Sequence, residues 1–189
     1  MDRVLADVQL VAEAADVPQR GEHLVQGLRG RLGAVRDRSV GLARPRLFCL
    51  EWLDPPYSAD HWVPEMVEIA GGRDQLAQHG RPSRRITWQE VLDRQPDVLV
   101  LMPCSLPLER VAAEFTELRG QPGWSELRAV QQGQIFAGET HLFSQSGPRL
   151  VDGVELLARL LHPDQFDEPL PPGQALKVSA AGDVLESFS

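Results

Sequence analysis

The apolar run from Leu47 to Leu53 constrains this chain more than any other stretch. It does not alternate with polar residues as a half-solvated strand would, so it reads as a strand buried on both faces, the mark of a parallel sheet. The run ends in a loop holding Pro55, Pro56, Tyr57 and His61, flanked by Trp52 and Trp62. A helix then opens at Pro64 and stops at Gly71-Gly72, with proline in its first turn and glycine past its end. Strand, aromatic loop and helix together are the unit in which open α/β sheets present ligand sites.

The same alternation continues down the chain. Thr87 to Glu90 spells a capping box for a helix that ends at Gln95-Pro96. Val98–Met102 is the next buried strand, a short strand is expected near Arg84–Ile86, and Gln134–Ala137 forms another. Ser105 is expected to cap a helix with Leu108, Val111, Ala112, Phe115 and Leu118 on one face. Gly123–Gln131 reads as a short helix, and Gly147-Pro148 opens a last one that ends at His162-Pro163. The fold class is therefore α/β: a small parallel three-layer, Rossmann-like lobe spanning residues 44–163. Before it lies a helical arm, residues 1–43, whose second helix runs over about 18–40. Gly27, Gly30 and Gly33 fall on that helix without a preceding strand, so they form a smooth stripe rather than a phosphate loop. The inner face of the arm is expected to be exposed and to support a homodimer. Beyond Pro163, residues 164–189 read as an acidic, loosely held tail.

Composition narrows the function. With 189 residues and a net charge of −8, and with no dense Lys/Arg block, the chain is not built for nucleic acid. No apolar run approaches the ~20 residues of a membrane span. The start, MDRVLADVQL, is not expected to serve as a signal peptide, since it has an acid at position 2 and no small-residue cleavage site.

Ligands of open α/β sheets lie beyond the carboxyl ends of the strands. The first end offers Glu51, Trp52, Asp54, Tyr57, His61 and Trp62; the second Cys104 and Ser105; the third Glu139, His141, Phe143 and Ser144. Tyr57 and Phe143, further out in their loops, are expected to touch ligand, whereas Trp62 serves equally well as packing against its helix. His61, Glu65, Cys104 and His141 make a zinc set by residue type alone, although no spacing demands it, and the expected metal set is none. A Cys104–His141–Glu139 nucleophile arrangement also fits by type.

Four segments carry a family resemblance: EWLDPPYSADHWVPEMVEIAGG, RPSRRITWQEVLDRQPDVLVLMPC, PGWSELRAVQQGQIFAGE and SGPRLVDGVELLARLLHP. Together they resemble the C-terminal part of the helical-backbone class of ABC-transporter solute-binding proteins, nearest to its cobalamin-binding branch. The resemblance implies two lobes joined by one long helix, with the ligand between them. Residues 18–40 then correspond to the joining helix and 44–163 to the second lobe, the first lobe being absent. It implies a corrinoid such as cobalamin as ligand, no catalytic cofactor, no enzymatic activity and docking on an ABC permease. By position, the ligand face would use Glu51, Trp52, Tyr57, His61 and Trp62, then Ser83, Cys104, His141 and Phe143. The permease-docking glutamate of the second lobe corresponds here to Gln89, a departure that leaves docking open. Haem or an iron chelate is the alternative ligand, and a Cys-dependent enzyme or a non-binding remnant the alternative function. The family implies a periplasmic or lipid-anchored extracellular location, and a start without a leader leaves a cytoplasmic one open.

Overall fold

The computed structural model describes residues 1–169 and 171–188. A helical hairpin comes first, α1 (Asp2–Ala14) and α2 (Pro18–Ser39). The body then runs β1 (Arg46–Leu53), β2 (Pro56–Ser58), α3 (Val63–Ile69), β3 (Arg73–Asp74), α4 (Trp88–Arg94) and β4 (Val98–Leu101). It continues through α5 (Leu108–Arg119), a 3-10 turn at Trp124–Glu126, α6 (Arg128–Gln131), β5 (Ile135–Gly138), a 3-10 turn at Thr140–Leu142 and α7 (Arg149–Leu161). Two strands close the chain, β6 (Ala175–Val178) and β7 (Val184–Phe188).

The sheet order is β2-β1-β4-β5-β6-β7, with β3 also paired to β1. β1, β3, β4 and β5 are parallel, as continuous apolar strands require. Side chains alternate between two fully covered faces. Leu47, Cys49, Val98, Val100, Met102 and Phe136 pack with α2, α3 and α7. Phe48, Leu50, Leu99, Leu101, Ile135 and Ala137 pack with α4, α5 and α6 on the other side. The result is the three-layer α/β lobe expected from the alternating pattern.

Four local readings are corrected. α5 begins at Leu108, not behind a Ser105 cap, because Pro107 is its N-cap with φ −66° and ψ 149°. Ser105 instead takes φ +64°, and its amide donates to Thr140 Oγ1 at 3.3 Å. Leu108, Val111, Phe115 and Leu118 are buried as the stripe demands, while the side chain of Ala112 lies outside the described residues. Near Arg84–Ile86 only a bridge between Tyr57 and Arg85 forms, and the strand in this connection is β3, about ten residues earlier.

The arm does not present a bare inner face. Val25, Leu28, Leu32 and Val35 are buried in the same cluster as α3 and α7. Arg31 reaches across to Asp152 at 2.5 Å and Glu155 at 2.6 Å on α7. The apolar surface left open is on the hairpin's outer side, where Leu10, Val11 and Leu24 are 59%, 68% and 43% exposed.

The tail is not loose either. β6 pairs antiparallel with β5, which would otherwise end the sheet as an open edge, and β7 pairs with β6. Ser179 Oγ accepts from the amides of Ala181 and Asp183 and so closes the hairpin between them. Phe166 is buried, with the Arg38 guanidinium 4.2 Å above its ring centre.

Candidate ligand-binding face

Because β1, β4 and β5 run parallel, their carboxyl ends and following loops share one edge of the sheet. At the end of β1 the ladder with β2 shifts register between Leu50 and Trp52. The shift leaves Glu51 half-buried and Trp52 41% exposed. Trp52 pairs in register with Tyr57 on β2, which sets the two side chains beside each other. The indole N–H of Trp52 donates to Asp54 O at 3.0 Å, so the ring's polar edge is satisfied by its own turn.

The connection 75–86 folds back over this loop. Its Arg81 carbonyl accepts from the His61 amide at 2.9 Å, and the Gly80 amide donates to His61 O at 2.7 Å. Asp60, only 1% exposed, accepts from Ser58 Oγ and from the Gln78 amide. These bonds bring Pro82 and Ser83 alongside the aromatic loop.

The outcome is an open depression of about 520 Å³. Glu51, Trp52, Pro55, Tyr57 and His61 line it from the first loop, Pro82 and Ser83 from the connection, and Cys104 from the end of β4. Six of the nine residues expected on the ligand face are thus brought together. Trp62 turns inward toward a smaller hollow of about 120 Å³, its Nε1–H donating to Phe143 O at 2.6 Å. Phe143 is a correction: it borders that hollow, but its ring is buried and 2% exposed, lying where a Cβ on Gly138 would otherwise go. His141 stands exposed on the turn after β5, with Nε2 4.0 Å from Glu139 Oε1.

Of the hydroxyls that join the loops, Ser83 and Ser144 are among the sequence candidates, and Thr140 is the one the sequence reading missed. Ser83 Oγ donates to Glu51 Oε2. Cys104 Sγ lies 3.0 Å from Glu51 Oε1 and 3.4 Å from Ser144 Oγ, which in turn lies 3.0 Å from Thr140 Oγ1. Thr140 and Ser144 fall four apart in the third loop, but spacing alone gives no hint that both turn toward Cys104.

The surroundings of Cys104 do not activate it as a nucleophile. Burial, then the hydrogen bond to Glu51, pushes the Cys104 thiol above its ordinary value, so it stays protonated at neutral pH. With α5 starting only at Leu108, no helix terminus sits at the sulfur to oppose this. The zinc set is not assembled: Glu65 Oε2 is taken by His79 Nε2 at 3.1 Å, and no three His, Cys, Asp or Glu side chains converge among the described residues.

A model of the periplasmic binding protein family matches residues 2–141. The chain belongs to that family. It is 26% identical over 172 residues to YvrC, an uncharacterized ABC transporter substrate-binding lipoprotein of Bacillus subtilis, covering 87% of this chain and 52% of that protein. A vitamin B12-binding protein of Vibrio cholerae is 23% identical over 165 residues, 85% of this chain and 56% of its own length. Among solved structures, an ABC-type Fe3+-hydroxamate transport system from Saccharomonospora viridis has a TM-score of 0.72 at 23% identity, over 85% of this chain and 55% of that one. A periplasmic heme-binding protein from Pseudomonas aeruginosa has a TM-score of 0.72 at 21% identity, over 86% and 60%. These likenesses establish the periplasmic binding protein fold. The chain spans about half the length of the curated relatives it matches.

Proposed function

We propose that this chain is the ligand-binding lobe of the solute-binding component of an ABC importer, that its ligand is cobalamin or a related corrinoid, and that it has no catalytic role. The observation that carries the ligand is the chemistry of the depression. Trp52 and Tyr57 offer broad apolar faces, Glu51 offers a carboxylate, and among the described residues no lysine or arginine lines it. A corrin is a large ring fringed with amides, which need acceptors and aromatic surface rather than cations. Haem and many ferric chelates carry carboxylates or net negative charge, and these call for arginine or lysine partners. The second reading, haem, rests on His61, an imidazole that lines the same depression.

One wall grips weakly. A ligand with only one face covered recovers little of the ordering cost of binding, so the 189-residue chain should bind cobalamin with a Kd of about 100 µM or weaker. The opposite wall is supplied by a lobe outside these residues, by a separate chain or by a second copy. A second hollow of about 490 Å³, larger than the one at Phe143, is lined by His61 and Trp62, and also by Val4, Asp7 and Ser146. Those last three also border the apolar groove that includes Val11 and Leu24. A body completing the cleft therefore also covers the exposed side of the α1–α2 hairpin. Permease docking through α4 would have to work without Glu90, which caps the helix and pairs with Arg84 at 3.0 Å.

Titration with cobalamin, haem and a ferric hydroxamate, followed by Trp fluorescence and ligand absorbance, separates the readings. Saturable binding of cobalamin ahead of the other two is the expected result. Haem binding lost on replacing His61, with cobalamin inert, would transfer the assignment to haem. Silence with all three up to about 1 mM would remove ligand binding from this face.

A further inference from the structure

We infer that Glu51 is the positioning residue of the ligand wall: its carboxylate is the common acceptor of a directional hydrogen-bond belt that fixes the loops after β1, β4 and β5 and the 75–86 connection in one arrangement. The inference deepens the reading of this face as a ligand wall and rests on it for its significance, but the geometry stands without a ligand.

Each link has a definite direction. One arm starts at a backbone amide: Asp60 N–H donates to Ser83 Oγ at 3.4 Å, and the Ser83 hydroxyl donates to Glu51 Oε2. The other starts at Ser105 N–H, which donates to Thr140 Oγ1 at 3.3 Å. The thiol of Cys104 has one proton, and it lies toward Glu51 Oε1 at 3.0 Å. Ser144 must then donate to the sulfur at 3.4 Å, and Thr140 to Ser144 at 3.0 Å. Every donor points toward Glu51. A chain in which each hydroxyl both accepts and donates polarises its neighbours, so its links reinforce one another.

Only a carboxylate suits the centre. The two incoming donors arrive at two different oxygens, and a carboxylate is acceptor-only on both. Glutamine would present an NH2 group to one of them. No ion pair of Glu51 occurs among the described residues, so these two neutral donors are what hold its charge. The belt crosses the sheet edge where the backbone ladder is ending: Cys104 N–H donates to Glu51 O at 3.1 Å, one step beyond Met102 N–H to Leu50 O at 2.9 Å. Side chains take over where main-chain pairing stops.

The test is made on the ligand-free 189-residue chain, so that failure of the belt and failure of the ligand assignment are separate results. Hydrogen exchange is compared segment by segment in the parent, Glu51→Ala and Glu51→Gln. Removing the shared acceptor should speed exchange by about tenfold in segments 81–85, 103–107 and 139–146 together, and leave the amides of β1, β4 and β5 unchanged. Glu51→Gln, which keeps only one acceptor oxygen, should keep the protection of one arm only, either 81–85 or 139–146. It should also move the pH profile of Cys104 labelling downward, because the Glu51 carboxylate, which adds to burial in raising the thiol, is gone. Cys49, fully buried, stays silent in that assay. Packing alone would not move the labelling profile. If Glu51→Ala does not fold, Cys104→Ala cuts one arm, and should loosen 139–146 while leaving 81–85 as in the parent. Loosening confined to the neighbours of residue 51, acceleration spread evenly over the chain, or an unmoved Cys104 profile in Glu51→Gln overturns the inference.

Discussion

The same substitution, glycine to alanine, should have opposite signs at two places in this fold. On α7, a Cβ at Gly153 would lie 2.4 Å from Leu142 O and 2.7 Å from Met66 Cε. The methionine can turn aside, but the carbonyl belongs to the 3-10 turn Thr140–Leu142 and moves only if that turn moves. Ordinary contact begins at 3.4 Å, so the turn must retreat by roughly 1 Å. Overpacking of this kind costs about 1–3 kcal/mol, against a helix-propensity gain of about 1 kcal/mol. Because backbone must move, the cost falls in the upper part of that range, about 2–3 kcal/mol, and the net loss of about 1–2 kcal/mol lowers Tm by roughly 2–8 °C in a protein of this size. On α2 the balance reverses. Nothing lies within 4 Å of a Cβ placed at Gly27, Gly30 or Gly33, so only the propensity term remains. The triple alanine variant should gain about 3 kcal/mol and about 6–12 °C. Thermal and urea melts followed by far-UV circular dichroism measure both. A Gly153→Ala protein as stable as the parent would mean that α7 does not bear on the turn. A triple variant that melts lower would mean that another body seats on the glycine stripe.

Three further outcomes are expected. Trp52→Ala should weaken cobalamin binding about tenfold or more while shifting urea stability by less than about 0.5 kcal/mol, since the ring is exposed and its N–H is satisfied within its own turn; equal losses of both would make Trp52 a packing residue. Thr87→Ala removes the acceptor for the Glu90 amide at 3.2 Å and should cost about 1 kcal/mol in the same melts. Asp74 carries the pH dependence: burial, opposed by the Ala77 and Leu76 amides, raises its carboxyl from 3.8 to about 6. The folded state then binds the proton more tightly than the unfolded one, so this contribution is fully present below about pH 4 and lost as pH climbs past about 6. At ~1.4 kcal/mol per pH unit, the parent loses up to about 3 kcal/mol across that window relative to Asp74→Asn, and parallel stability profiles for the two would refute the assignment.

The central strands were legible because burial on both faces leaves an unbroken apolar run, which Leu47–Leu50 and Val98–Leu101 display. The capping box was legible because both of its bonds are local, Thr87 Oγ1 to the Glu90 amide and Glu90 to the Thr87 amide. β6 and β7 were not, because what makes them strands is the edge of β5, some forty residues earlier, and not their own short, mixed sequences. The arm misled for a related reason. Periodicity puts Leu24, Val25, Leu28, Leu32 and Val35 on one face; Leu24 stays exposed, and periodicity does not say what covers the other four, which here is α7 of the same chain with help from the Arg31 pairs.

The ligand face shows the same limit more sharply. Trp52, Trp62, Tyr57 and Phe143 are all loop aromatics, and sequence alone cannot sort them into rim and core. Two local facts do. Gly138 leaves room for the Phe143 ring, and the carbonyl of Phe143 takes the indole N–H of Trp62, so each of these residues secures the other's inward turn. Trp52 finds its acceptor two residues away in Asp54, which frees its ring to lie across the mouth beside Tyr57. An aromatic residue goes where its polar atom can be satisfied without giving up contact area. Reading the acceptors as well as the rings therefore picks out the aromatics left for the proposed ligand, the register-paired Trp52 and Tyr57, which line the depression together with Glu51.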